Sequence, residues 1–126
     1  MKRPLVLVLA LGAIATLSLS YAAERGEWWQ YKPFKGSYLI YSGVLGEEQP
    51  PTSGDRKISF SVSGPLAKEM FDSMYPDAKA KDACSSDKGH YERYKGNVSC
   101  VRDPDGYTCH FGFNLRTGES ISGATC

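Results

Sequence analysis

The sequence predicts an α+β domain: a small antiparallel sheet of four to five strands with one helix packed on one face, stapled by disulfides. Three observations carry this. Two alternating stretches between Tyr91 and Arg116 meet at Asp103-Pro104-Asp105-Gly106, a strong turn sequence. Ile58, Phe60 and Val62 alternate with Ser59, Ser61 and Ser63, the period of a half-buried strand. Leu66, Met70, Phe71 and Met74 recur at helical spacing and make one apolar stripe.

The chain opens with Lys2 and Arg3, then an apolar run from Leu5 to about Leu19, then small residues at Ser20 and Ala22. That order is the pattern of a secretory signal peptide, so residues 1–22 are expected to be removed and 23–126 to form one secreted domain. The run is short for a membrane span, and no span is expected after cleavage. Removing Lys2 and Arg3 from the 15 basic residues leaves 13 against 14 acidic, a net charge of −1. A dedicated nucleic-acid binder carries a basic excess, so no nucleic-acid partner is expected.

Glu27-Trp28-Trp29-Gln30-Tyr31 follows the cleavage point and holds both tryptophans. Large aromatics are mostly buried, so these are expected to lie across an open edge of the core. Tyr38–Leu45 is aromatic and β-branched and reads as a strand. Gly46–Asp55 reads as a polar loop between that strand and the serine-faced one, whose serines are expected to face outward. Pro65 suits the first turn of the helix. Tyr75-Pro76 ends it, because the residue before proline disfavours helical backbone. Asp77–Gly89 reads as a polar loop, and Glu119–Cys126 as a short last strand with Ile121 inward.

Pairing the central strands about the Asp103–Gly106 turn sets Arg102 opposite Tyr107, Cys100 opposite Cys109 and Val98 opposite Phe111. Cys100 and Cys109 are then within bonding reach, which leaves Cys84 for Cys126. An even cysteine count in an exported chain reads as a disulfide framework. The cysteine and histidine spacing does not suit zinc, and neither a metal nor a cofactor is expected. Read as one continuous strand from Tyr91, the same register puts Arg93, Lys95, Asn97 and Ser99 on a polar face with His110, Asn114 and Arg116, and sets Arg93 directly opposite Arg116. Like charges so placed destabilise a sheet unless solvent or an acidic partner offsets them. These seven residues are the candidate binding face.

The leading expectation is a small exported, non-catalytic binding protein of the cell envelope, inhibitor or immunity-type, which occludes a protein partner. It is secreted or periplasmic. Two other classes compete. Trp28, Trp29 and Tyr31 suit an envelope-glycan module. Glu92, Arg102 and His110 suit a secreted hydrolase, and as a set of residue types they resemble the small secreted microbial ribonucleases. The continuous-strand register opposes the latter. It places Glu92 and Arg102 roughly 33 Å apart, at about 3.3 Å per residue, with His110 on the other face.

Overall fold

The computed structural model describes residues 27–126. The expected signal peptide lies outside the described residues. Residues 33–126 form one compact unit. The described part of the preceding unit is a single 3-10 turn at Glu27–Trp29. Its Trp28 and Trp29 are 83% and 66% exposed.

The chain forms β1 (Lys35–Val44), β2 (Glu47–Gln49), β3 (Lys57–Ser63), α1 (Gly64–Ser73), β4 (Tyr91–Lys95), β5 (Val98–Asp103), β6 (Gly106–Asn114) and β7 (Ser120–Ile121), with a second 3-10 turn at Ala80–Asp82. All pairings are antiparallel, in the order β2-β1-β3-β6-β5-β4, with β7 also on β6. Among the described residues the sheet therefore has seven strands rather than four or five. Two local turns account for the difference. Leu45-Gly46 folds Glu47–Gln49 back onto β1, inside the expected loop. Gly96-Asn97 folds Tyr91–Lys95 back onto β5, inside the expected continuous strand. A Gly-Asn pair between two strand-forming runs is a two-residue hairpin signal, and Gly96 takes the positive φ (55°) that such a turn needs.

That second turn changes which residues share a face. Cys100 pairs with Cys109 and Arg102 with Tyr107, as the sequence register requires. Arg93, however, lies beside Cys100, not opposite Arg116. Directly paired residues point to the same face. Tyr91, Arg93 and Lys95 thus join the helix side, whereas Glu92 and Tyr94 join Ser99 and His110 on the other.

The helix stripe packs as its spacing predicts. Ala67, Phe71 and Met74 are buried with Val62, Cys100 and Cys109, and Leu66, Met70, Val98, Tyr107 and Phe111 pack around them. The Cys100–Cys109 disulfide lies in the centre of this core, and Cys84–Cys126 ties the C-terminus to the loop before β4. Both are the expected pairings. The last five residues, Ser122–Cys126, form a strap across the face opposite the helix. Two glycines permit its approach. A side chain on Gly112 would meet the Ile58 carbonyl at 2.7 Å and Ile121 at 3.2 Å, and one on Gly123 would meet the Phe111 backbone at 2.2 Å. The Ser59 hydroxyl donates to the Gly123 carbonyl at 2.5 Å, so this part of the serine face is buried under the strap rather than outward. Among the described residues no helix is long and apolar enough to cross a membrane.

Candidate functional site

The seven residues of the expected binding face do not form one surface. Ser99 and His110 pair directly and line a cavity of about 260 Å³ under the strap, together with Asn97 at its rim. Arg93 lies on the other side of the sheet. Its guanidinium stacks 4.0 Å from the Phe71 ring centroid, donates to the Phe71 carbonyl at 2.8 Å and pairs with Asp77 at 2.7 Å. Lys95 is exposed at the end of β4, also toward the helix side. Asn114 accepts from the Arg116 backbone N–H at 2.9 Å, which closes the turn after β6, and the Arg116 side chain donates to the Ser53 carbonyl at 2.6 Å. The Arg93–Arg116 repulsion that suggested an acidic partner does not arise, because β4 folds back and the two arginines never pair.

The residues of the hydrolase reading are separated differently than expected. Glu92 pairs with Val101, so Glu92 and Arg102 occupy neighbouring strands and opposite faces. Arg102 stacks on Tyr91, 4.2 Å from the ring centroid, on the helix side. Glu92 and His110 do share the strap cavity. The Glu92 carboxylate is nonetheless fully occupied. Its residue is 2% exposed. Oε1 accepts from the Cys84 N–H at 2.7 Å, the Ser85 N–H at 3.3 Å and His90 Nε2 at 2.5 Å, and Oε2 accepts from the Tyr94 hydroxyl. A general base needs a free lone pair within reach of its proton, and here four donors engage both oxygens. Burial pushes the Glu92 pKa up, but these hydrogen bonds outweigh it and hold the carboxyl below its usual range. Burial, joined by the same carboxylate, pushes the Tyr94 phenol up to about 12. Burial holds the His110 pKa below its ordinary value, so at neutral pH its imidazole is uncharged.

His90 completes this group. Its Nδ1 lies 2.6 Å from Asp103 and its Nε2 2.5 Å from Glu92. The β4–β5 register brings this about: Tyr91 opposite Arg102 leaves His90 next to Asp103, and a period of two puts His90, Glu92 and Tyr94 on one face. The Gly96-Asn97 turn was the signal that could have located the cluster.

A second missed feature is the apolar half of the helix side. α1 is ten residues long, so about 15 Å by 10 Å. The five long strands span roughly 20 Å at about 4.8 Å spacing, and the longest run about 30 Å. The helix covers only the Val62–Cys109–Cys100 end. Beyond it, Tyr38 pairs with Phe60 and Phe60 with Phe111, while Ile40 pairs with Ile58 and Ile58 with Phe113. Phe60 and Phe111 stack at 5.2 Å, and Phe113 packs edge-on to Phe111 at 6.4 Å. Tyr38 is 68% exposed and Phe113 39%, and Ile40, Ile58, Phe60 and Phe111 are half-buried. The Phe34 ring lies over Gly36 at the margin. Across β1, β3 and β6 this face bears no charged side chain. The alternation of Phe34, Tyr38 and Ile40 with that of Ile58 and Phe60 made the face legible in principle. Its exposure was not, because a helix was expected to cover it.

Among the described residues the molecule is thus a disulfide-stapled α+β domain with an aromatic sheet face that α1 does not cover. Comparison with models of protein families, with curated proteins and with solved structures finds no match to this chain.

Proposed function

We propose that the chain is a small exported binding protein that acts by occluding a protein partner, and that the partner docks on the aromatic face of β1, β3 and β6. The observation that carries this is the charge-free set Tyr38, Ile40, Ile58, Phe60, Phe111 and Phe113, laid side by side and left partly exposed. Contiguous apolar patches of this kind on small domains mark interaction sites. The Tyr38 hydroxyl is the one side-chain hydrogen-bonding group among the six, which suits an apolar protein surface better than a hydroxyl-rich glycan. Burying aromatic rings supplies the binding free energy, and a central aromatic anchor is worth about 2 kcal/mol or more, roughly thirty-fold in affinity. The two disulfides fit an oxidising compartment, as an exported protein requires.

The test is capture from envelope and secreted extracts on two columns, one with the oxidised mature chain and one with a Tyr38→Lys/Phe113→Lys variant. The expected result is one stoichiometric protein retained by the first and lost from the second. Equal retention on both columns overturns the docking face. Retention of glycan, abolished by Trp28→Ala/Trp29→Ala, favours the glycan module instead.

A further inference from the structure

His90 stands between two hollows. On one side is an open groove of about 780 Å³, bounded by the start of α1 and the β5–β6 turn. On the other is the strap cavity of about 260 Å³ that holds His110. His90 lines both, and its side chain is only 12% exposed.

The geometry fixes its charge state. An ionised carboxylate only accepts hydrogen bonds. His90 Nδ1 meets Asp103 and Nε2 meets Glu92, at 2.6 and 2.5 Å. Both ring nitrogens must therefore carry a proton, and the ring is an imidazolium. A neutral imidazole has one N–H and satisfies one carboxylate, so its bare nitrogen would face the lone pairs of the other. Glu92 is buried and held by three further donors, whereas the Asp103 side chain is 49% exposed and can turn to water. The contact to Asp103 is the one that yields.

We propose that His90 is a cation-held latch: protonated, it joins β5 to β4 through Asp103 and Glu92 and closes the wall between groove and strap cavity, and neutral, it releases Asp103 and opens that wall. This lies outside the docking reading and does not depend on it. The hydrogen bonds that His90 donates to Glu92 and then to Asp103 raise its pKa above its ordinary 6.5, so the latch is closed through mildly acidic pH and opens on the alkaline side. Other charged groups near it are nearly balanced. From the groove these are Lys35 of β1, Lys68 of α1, Lys88 and Asp87 of its own loop and Asp105 of the turn. On the cavity side it shares a lining with the Tyr94 phenol, which stays protonated, and the neutral His110. The Cys84–Cys126 disulfide anchors the strap and Glu92 keeps its hold on Cys84 and Ser85 throughout, so the opening is a local movement of the Asp103 side chain away from the His90 ring rather than unfolding.

The test uses the oxidised mature chain and imidazole 15N NMR from pH 5 to 10, with the soluble nitroxide TEMPOL as a probe of solvent access. At pH 6.5 both His90 nitrogens are expected to be protonated while His110 is neutral. As His90 loses its proton, TEMPOL relaxation at the His110 ring protons should rise at least twofold, with the Tyr38 ring as an unchanged control. Asp103→Asn, which keeps the exposed turn, should lower the His90 midpoint and carry the access transition with it. A His90 with one bare nitrogen at pH 6.5 overturns the latch. So does a His110 ring whose accessibility ignores the His90 proton, or a His90 that never titrates below pH 10.

Discussion

The two faces of the sheet are closed by different means. On the strap side the closure is polar and specific. Glu92 gathers four donors, Ser59 holds the Gly123 carbonyl, and Cys84–Cys126 fixes the end of the chain. On the helix side the closure is apolar and incomplete. One ten-residue helix covers the Cys100–Cys109 end and leaves the Tyr38–Phe113 end open. The difference teaches where stability resides and why the docking proposed above falls on the other face. A buried polar site tolerates little change, since each orphaned donor carries its full desolvation penalty. A half-exposed apolar face tolerates change in the free protein and loses it only in a complex.

Substitutions should separate the two faces cleanly. The largest effect is expected at Glu92. Glu92→Leu strands the Cys84 and Ser85 N–H groups, the Tyr94 hydroxyl and the His90 cation, at a cost of about 3 to 5 kcal/mol in urea unfolding. Removing the strap disulfide as Cys84→Ser/Cys126→Ser, which frees a 42-residue separation, should cost about 4 kcal/mol by the loop-entropy relation. Removing Cys100–Cys109, a separation of nine, should cost about 2.5 to 3 kcal/mol by the same relation. If the shorter loop proves the more costly, core packing around that disulfide outweighs the chain-entropy term. At the other extreme, Tyr38→Lys/Phe113→Lys should cost no more than about 1.5 kcal/mol, the edge-on contact of Phe113 with Phe111 being the main loss.

The pH dependence of the melting temperature sharpens the contrast. The folded pKa of His90 is raised, so its stabilisation is fully present below the unfolded value of 6.5 and is lost as pH rises through the folded one. The folded pKa of Glu92 is depressed, so its stabilisation is present above the unfolded value of 4.5 and is lost as pH falls through the folded one. The folded pKa of His110 lies below 6.5, so acidification through that range also destabilises the fold. All three groups belong to the strap side. The Tyr38–Phe113 double variant should leave the shape of the profile unchanged, and His90→Gln should flatten its alkaline limb.

Much of this fold was legible in local pattern. The β5–β6 register, both disulfides and the helix stripe followed from turn residues and periodicity. The seven residues of the expected polar face were dispersed by a single dipeptide. Gly96-Asn97 reverses the chain, and reading through it moved Arg93 from beside Cys100 to an imagined place opposite Arg116. It also concealed His90 from Asp103, thirteen residues away in sequence. The aromatic face depended on a different kind of information. Pairing of β3 with β6 joins residues about fifty apart, and no local pattern fixes which part of a sheet a short helix will cover. The individual alternations were visible, but their assembly into one exposed surface was not.

The docking claim is tested most directly by hydroxyl-radical footprinting of the mature chain, free and bound to its captured partner. Tyr38, Phe34 and Phe113 are predicted to lose most of their labelling in the complex, while Tyr94 and Trp28 keep theirs. Protection of Tyr94 and His110 with Tyr38 unchanged would contradict the account and return the interface to the polar face of the hairpin.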